Sequence, residues 1–416
     1  MTDLHKPTGP PEAEKRGLMT KPLNRTTKRI FVAATRMNEG KTTSCLGLFS
    51  ALRAHTPNVG YIKPIGQRFI EVFGHKIDED SYLLDRIFDV RVPIEAMSPI
   101  AIDSSFTRNY LDDPRAEYPK LVDTLCRAFD RAAYEKDYII IEGSGHAGVG
   151  SVFDLSNAQT AHLLGAKVIL ISSGGIGRPV DEIALNKALF EKHGVEVIGA
   201  IINKVAPDRL EKIHPFVETG LKRYGVPLLG LVPHEETLKA PSLAQIVKAI
   251  DGDWLHRDIE KEIRRINQFV VGDMTAPSIE EFLRPGGLII TPGDREDILY
   301  AAIQSAEENP AKRVSGIILT RNILPDPGLL RLLETSRIPI ISTNADSFSV
   351  ASRINSMTIK TLPTDTDKIP VIKKLIADHI QLDRIIDAFQ PDQRNDTTDP
   401  FTNSQDQRPL TGRNSP

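Results

Sequence analysis

Short apolar runs alternate with amphipathic stretches of helical length along the middle of this chain. The runs at 29–34, 58–63, 138–142, 167–172, 195–203 and 226–232 are apolar on consecutive positions, which predicts strands buried on both faces. Stretches of helical length, such as 179–193 and 208–224, lie between most of them. Strands alternating with helices predict an α/β fold with a doubly wound, mostly parallel sheet. Ligands of such sheets bind at the carboxyl ends of the strands.

A second region repeats the alternation on a smaller scale. Its expected strands lie at 268–272, 287–291, 314–320 and 338–342, and its expected helices at 295–308, 328–335, 347–352 and 366–382. The charged stretch 251–265 reads as the end of a helix joining the regions. Residues 1–27 and 390–416 are polar and poor in aliphatic side chains, so a disordered arm and a disordered tail are expected there. The organisation is then a domain at 28–251 and a smaller α/β domain at 263–389.

The chemistry gathers at the expected strand ends. The run from Ile30 to Thr43, IFVAATRMNEGKTT, is a strand entering a loop that closes with Gly40-Lys41-Thr42-Thr43 at a helix start. Backbone N–H groups of such a loop point at anionic oxygens. Lys41 can reach the β- and γ-phosphates of a nucleotide, and the Thr42 hydroxyl can ligate Mg²⁺. Thr35 stands where the first glycine of the general pattern would be, and Thr35, Arg36, Asn38 and Glu39 fill out the expected phosphate loop. Glu142 ends a strand before Gly-Ser-Gly and faces the same loop as a candidate for Mg²⁺. Its alternative is a strand-end glutamate in a solvated turn.

Lys63, before Pro64, can set a cation over a phosphate or a carboxylate substrate, or be a surface lysine. Asp80, in Asp78-Glu79-Asp80, is the second metal candidate, although acids at a helix start are stabilised by the dipole without any function. Asn203 carries donor and acceptor and can read a purine edge. Pro233 ends the neighbouring strand and can line the base pocket. Arg178, after Gly174-Gly175-Ile176-Gly177, either closes over an anion or belongs to a plain strand-to-helix loop.

Length and charge narrow the classes. A chain of 416 residues is long for one core. A net charge of −3 gives no reason to expect nucleic-acid binding. No apolar run reaches the roughly 18 residues of a membrane span, and the start of the chain lacks the apolar stretch of a signal peptide. Cys45 and Cys126, the two cysteines, cannot build a disulfide framework and fit a reducing cytoplasm.

Ala34 to Thr42, Lys63-Pro64, Asp80, Glu142-Gly-Ser-Gly and Asn203 occur in the order seen in dethiobiotin synthetase and its relatives. With Ser98-Pro99 and Phe106-Thr107-Arg108-Asn109-Tyr110-Leu111, the chain resembles the N-terminal region of long bacterial phosphotransacetylases more nearly. Gly287 to Asp297 and Thr343-Asn344-Ala345-Asp346-Ser347-Phe348 resemble the DRTGG domain that follows there. The resemblance implies a P-loop NTPase domain followed by a DRTGG-like domain. It implies that Gly40, Lys41, Thr42 and Thr43 bind ATP phosphates, Asp80 and Glu142 hold Mg²⁺, Asn203 reads adenine, and Lys63 sits near any second substrate, with Lys41 and Lys63 the candidate catalytic residues. It also suggests a homodimer. The acetyl-transfer domain has no counterpart in the chain, so acetyl phosphate synthesis is not expected.

Two departures bear on the reaction. Arg36 and Met37 replace small or acidic polar residues of dethiobiotin synthetase, and Arg36 falls where some related ATPases carry a lysine acting across a dimer. His146 follows the acid–glycine turn and reads as a loop residue. Three readings stand: a slow ATPase that switches a metabolic partner through its second domain, an ATP-dependent ligase acting on a small carboxylate or carbamate, and an assembly protein with a structural nucleotide site.

Overall fold

A computed structural model describes residues 18–256 and 264–390. The uninterrupted apolar runs form the parallel strands they predict: β1 (Lys28–Ala34), β2 (Val59–Ile62), β5 (Tyr138–Glu142), β6 (Lys167–Ser173), β7 (Val197–Val205) and β8 (Leu228–Pro233). A hairpin of β3 (Phe69–Val72) and β4 (His75–Asp78) stands outside this sheet. Sheet order is β8-β7-β6-β1-β5-β2, all parallel. With β1 in the middle, the chain leaves the sheet centre at a topological switch point, where a crevice opens at the strand ends.

Both faces of the sheet are covered, which is why its strands read as apolar without alternation. One face packs on α3 (Pro114–Ala132), α4 (Gly177–Lys192) and α5 (Leu210–Lys222), through Phe129, Phe190 and Val217 among others. On the opposite face lie α1 (Lys41–His55) and two helices from the far end of the chain, α10 (Lys368–His379) and α11 (Leu382–Asp387). Phe49 and Leu52 of α1 share this core with Ile372, Ile376, Ile385 and Ile386. Helix α2 (Glu79–Phe88) follows the hairpin, and the Asp78 carboxylate caps it by accepting from the Asp80 N–H at 2.9 Å.

The second sheet has the order β9-β13-β12-β11-β10, formed by β9 (Asp253–His256), β10 (Gln268–Val271), β11 (Gly287–Pro292), β12 (Gly316–Thr320) and β13 (Ile340–Ser342). All neighbours are parallel except β9, which runs antiparallel to β13. Helices α7 (Glu296–Glu308) and α8 (Pro327–Thr335) cover one face, and α6 (Leu243–Ala249) and α9 (Ser347–Ser356) the other. Among the described residues no helix is long and apolar enough to cross a membrane.

Three sequence expectations need correction. Residues 253–256 are an edge strand and not the end of a helix, because Trp254 packs against the second core; 257–263 lie outside the described residues. Residues 18–27 of the expected disordered arm are held: Asp123 accepts the Met19 N–H at 2.7 Å, Asp130 accepts those of Leu23 and Asn24 at 2.8 Å, and Thr27 donates to the Lys136 carbonyl at 2.8 Å. The rest of the arm, and the tail from 391, lie outside the described residues.

Residues 368–387 belong by packing to the first sheet and not to the second region. The spacing of Ile372 and Ile376 marks an amphipathic face without saying which sheet it covers. Gly47 decides it, since a Cβ there would sit 2.2 Å from Ile376 Cγ1. At the start of α7, Arg295 takes the N-cap position, and its guanidinium donates to the carbonyls of Gly272 and Met274, each at 2.7 Å.

Candidate functional site

The loop between β1 and α1 is an anion cradle by its hydrogen-bond accounting. From Asn38 to Thr43, no backbone N–H has a hydrogen-bond partner among the described residues. The first amides of a helix have no intrahelical partner, so this row of free donors at a helix N-terminus suits an anion. Gly40 ends the loop at φ 93°, in the left-handed region, with no side-chain cap on the helix. The Lys41 ammonium has no hydrogen-bond or ion-pair partner among the described residues. Burial pushes its pKa down, opposed by the nearby Glu142 charge.

Asn203, from β7, buttresses this loop. Its Nδ2 donates to the Glu39 carbonyl at 2.9 Å, and its Oδ1 accepts the Lys204 N–H at 2.9 Å. The carboxamide therefore shapes the loop first, and keeps one hydrogen and one lone pair for a base. The Lys204 ammonium donates to the Asn38 carbonyl.

A buried charge cluster faces the cradle. Glu142, at the end of β5, accepts from the Thr42 hydroxyl on one oxygen and from the Tyr61 hydroxyl on the other, both at 2.8 Å. Burial, reinforced by Asp80, raises its pKa. The Lys63 ammonium lies between Asp78, 3.0 Å away, and Asp80, to which it donates. Burial opposes its charge, but the carboxylates outweigh it and raise its pKa. The carboxylates part company: burial raises Asp78, whereas two lysines overcome burial at Asp80 and hold it down at about 2. The second of these is Lys360, whose Nζ lies 3.4 Å from Asp80 Oδ1 and 3.1 Å from Glu79 Oε2.

These groups open onto one cleft of ≈ 1170 Å³. It brings together Asn38, Gly40, Lys41, Thr42, Thr43, Lys63, Asp80, Glu142, Asn203 and Pro233, all picked out by sequence. Three other sequence candidates turn away from it. The Thr35 hydroxyl donates to Glu182 at 2.7 Å, Arg36 pairs with Glu182 at 2.6 Å, and Glu39 is buried near Arg178. Their side chains tie the loop to α4. Arg178 likewise donates back to the Ser173 carbonyl at 2.9 Å. Sequence reasoning missed Tyr61, whose hydroxyl is hidden in an apolar strand, and Lys360, which no local pattern connects to Asp80.

Thr42, Glu142 and Asp80 offer hard oxygen donors of the kind Mg²⁺ takes. Among the described residues no group of three or more His, Cys, Asp and Glu could hold a metal. That donor set suits an ion that also needs phosphate oxygens and water, as Mg²⁺ does at nucleotide sites.

Gly40→Ala tests the cradle. A Cβ would meet Asn203 Nδ2 at 2.2 Å, in a conformation that L-residues resist. A cost of about 1–3 kcal/mol in stability is expected, read by urea unfolding, with loss of anion binding beyond that cost. A variant as stable as the parent would show the loop to be plastic.

Residues 28–242 match the family model of an AAA domain, and residues 245–357 that of a DRTGG domain. Over 368 residues the chain is 26% identical to a phosphate acetyltransferase of Nitrosomonas europaea, covering 86% of this chain and 51% of that protein. A phosphate acetyltransferase of Pseudomonas aeruginosa is 26% identical over 372 residues, covering 85% and 51%. The chain thus spans about half the length of the relatives it matches. Among solved structures, the CBS and DRTGG domains of the regulatory region of Clostridium perfringens pyrophosphatase, complexed with the activator diadenosine tetraphosphate, align at 27% identity. That alignment covers 30% of this chain and 48% of the other, with a TM-score of 0.24.

Proposed function

The chain belongs to the AAA domain family over residues 28–242, with a DRTGG domain behind it, and from that premise we propose that it binds MgATP in the cleft, turns it over slowly, and acts as a nucleotide-dependent regulator of a metabolic enzyme. One observation carries this reading: the unpaired amides from Asn38 to Thr43 stand beside the unpaired ammonium of Lys41. Phosphates would fill that row. Thr42, Glu142 and Asp80 would hold Mg²⁺, which supplies charge neutralisation at the transferring phosphoryl group. Catalysis would then rest on positioning and electrostatics. The regulatory part of the reading rests on the second domain sharing the cleft wall.

Cleft size favours a second reading, an ATP-dependent ligase. The ≈ 1170 Å³ exceeds the common range of about 300–1,000 Å³ for small-molecule sites and leaves room beside a nucleotide. Titration calorimetry with MgATP, followed by phosphate release with a panel of small carboxylates, separates the two. Binding with slow, unstimulated turnover is expected. Stimulation by one carboxylate would make the protein a ligase, and absence of ATP binding would sink both readings.

A further inference from the structure

The first domain does not wall the cleft alone. Phe269 of β10 and the segment 354–361, which begins at the end of α9, form part of its lining. From that segment Lys360 crosses 280 positions of chain separation to Asp80. Two lysines therefore meet one carboxylate, and they are not equivalent. Lys63 is buried, serves Asp78 as well, and is needed to neutralise both. Lys360 is 29% exposed in its side chain, and its second partner, Glu79, is 38% exposed. A hydrated pair of that kind contributes little, so it is readily exchanged for a better one.

The better partner is implied by the opposite wall. The cradle amides and Lys41 await an anion with several charged oxygens, and Lys360 lines the same cleft. The ion that neutralises such an anion would also need Asp80, whose Oδ1 now faces Lys360. A divalent cation arriving at that carboxylate would repel the ammonium, while a terminal phosphate would attract it.

We propose that Lys360 is a specificity-determining residue of the nucleotide site, supplied by the segment that leads out of the DRTGG domain: when a nucleoside triphosphate binds, its ammonium leaves Asp80 and Glu79 for the outermost phosphate. That segment thereby distinguishes tri- from diphosphate, and the state of the nucleotide is felt at the exit of the second domain. The proposal rests on the nucleotide reading above.

The test uses the full chain and compares MgATP with MgADP by calorimetry in the parent, Lys360→Ala and Lys360→Arg. Lys360→Ala should weaken ATP binding about 10-fold or more, the size expected for one hydrogen bond to a charged group. ADP binding should change less than about threefold. Lys360→Arg should keep most of the preference for ATP. In the parent, ATP but not ADP should protect segment 354–361 from amide hydrogen exchange, and Lys360→Ala should lose that protection. A lysine that merely joins two domains would shift both nucleotides alike. Equal shifts, or none, in a parent that binds ATP would overturn this proposal and leave the nucleotide reading intact. A parent that binds neither nucleotide would overturn both.

Discussion

Lys41→Ala is expected to weaken MgATP binding about 10- to 100-fold or more, the loss of a charge-assisted contact to phosphate, without unfolding the protein. The side chain lies in the cleft wall with no hydrogen-bond or ion-pair partner among the described residues, and burial already disfavours its charge. Removing it from the free protein leaves no acceptor orphaned. The variant should therefore be as stable as the parent, or slightly more so, in urea without ligand. This opposition, binding lost while stability is kept, is the mark of a residue held in place for a ligand at the expense of the fold. Calorimetry and urea unfolding on the same preparations check it. Unchanged ATP affinity would show that the cradle is not the phosphate site.

Lys63→Met should do the reverse and destabilise the free protein strongly. Asp78 and Asp80 are 1% and 5% exposed and share this ammonium. Removing one partner of a buried ionic group typically costs about 3–5 kcal/mol, here because Asp78 loses its ammonium and Asp80 keeps only Lys360. The pH dependence separates this cause from lost packing. In the parent, Asp80 titrates at about 2, below its ordinary value of 3.8. Its contribution to stability is therefore complete above about pH 4 and is lost as the pH falls towards 2.

Without Lys63 the balance at the two carboxylates tips towards burial, which raises their pKa values. The folded variant then binds protons that the unfolded chain does not, and its stability falls as pH rises. The gap between parent and variant should thus narrow from pH 7 to pH 5 in urea unfolding. A gap that stays constant would mean that the loss is one of packing.

These two lysines also show how far the site could be read from the chain. The place of Lys41 in the cleft was legible because its surroundings are local: strand, loop and helix are contiguous, and the Gly-Lys-Thr spacing sets the ammonium beside the loop amides. Lys63 was legible as a strand-end cation but not as a buried one. Its partners arrive through the β3–β4 hairpin, whose polar, half-exposed sequence carries no strong period. The side chains of Thr35, Arg36 and Glu39 were not legible for a related reason. Membership of a loop says that the backbone surrounds a ligand, whereas the direction of each side chain follows from what α4 offers it, here Glu182 and the neighbourhood of Arg178.

The sequence by itself determined two alternating α/β patterns, the strands of both sheets nearly to their ends, and a phosphate loop at the carboxyl end of the first strand. Such features depend on neighbours in the chain: apolar runs, helix starts and glycine conformations. The tertiary structure decided the rest. It sent α10 and α11 back to the first sheet over Gly47, set Tyr61 and Thr42 on the two oxygens of Glu142, and brought Lys360 to the mouth of the cleft. Each of these joins residues far apart in sequence, where the deciding quantity is which buried surface or charge finds its complement in space. No period or motif along the chain encodes that.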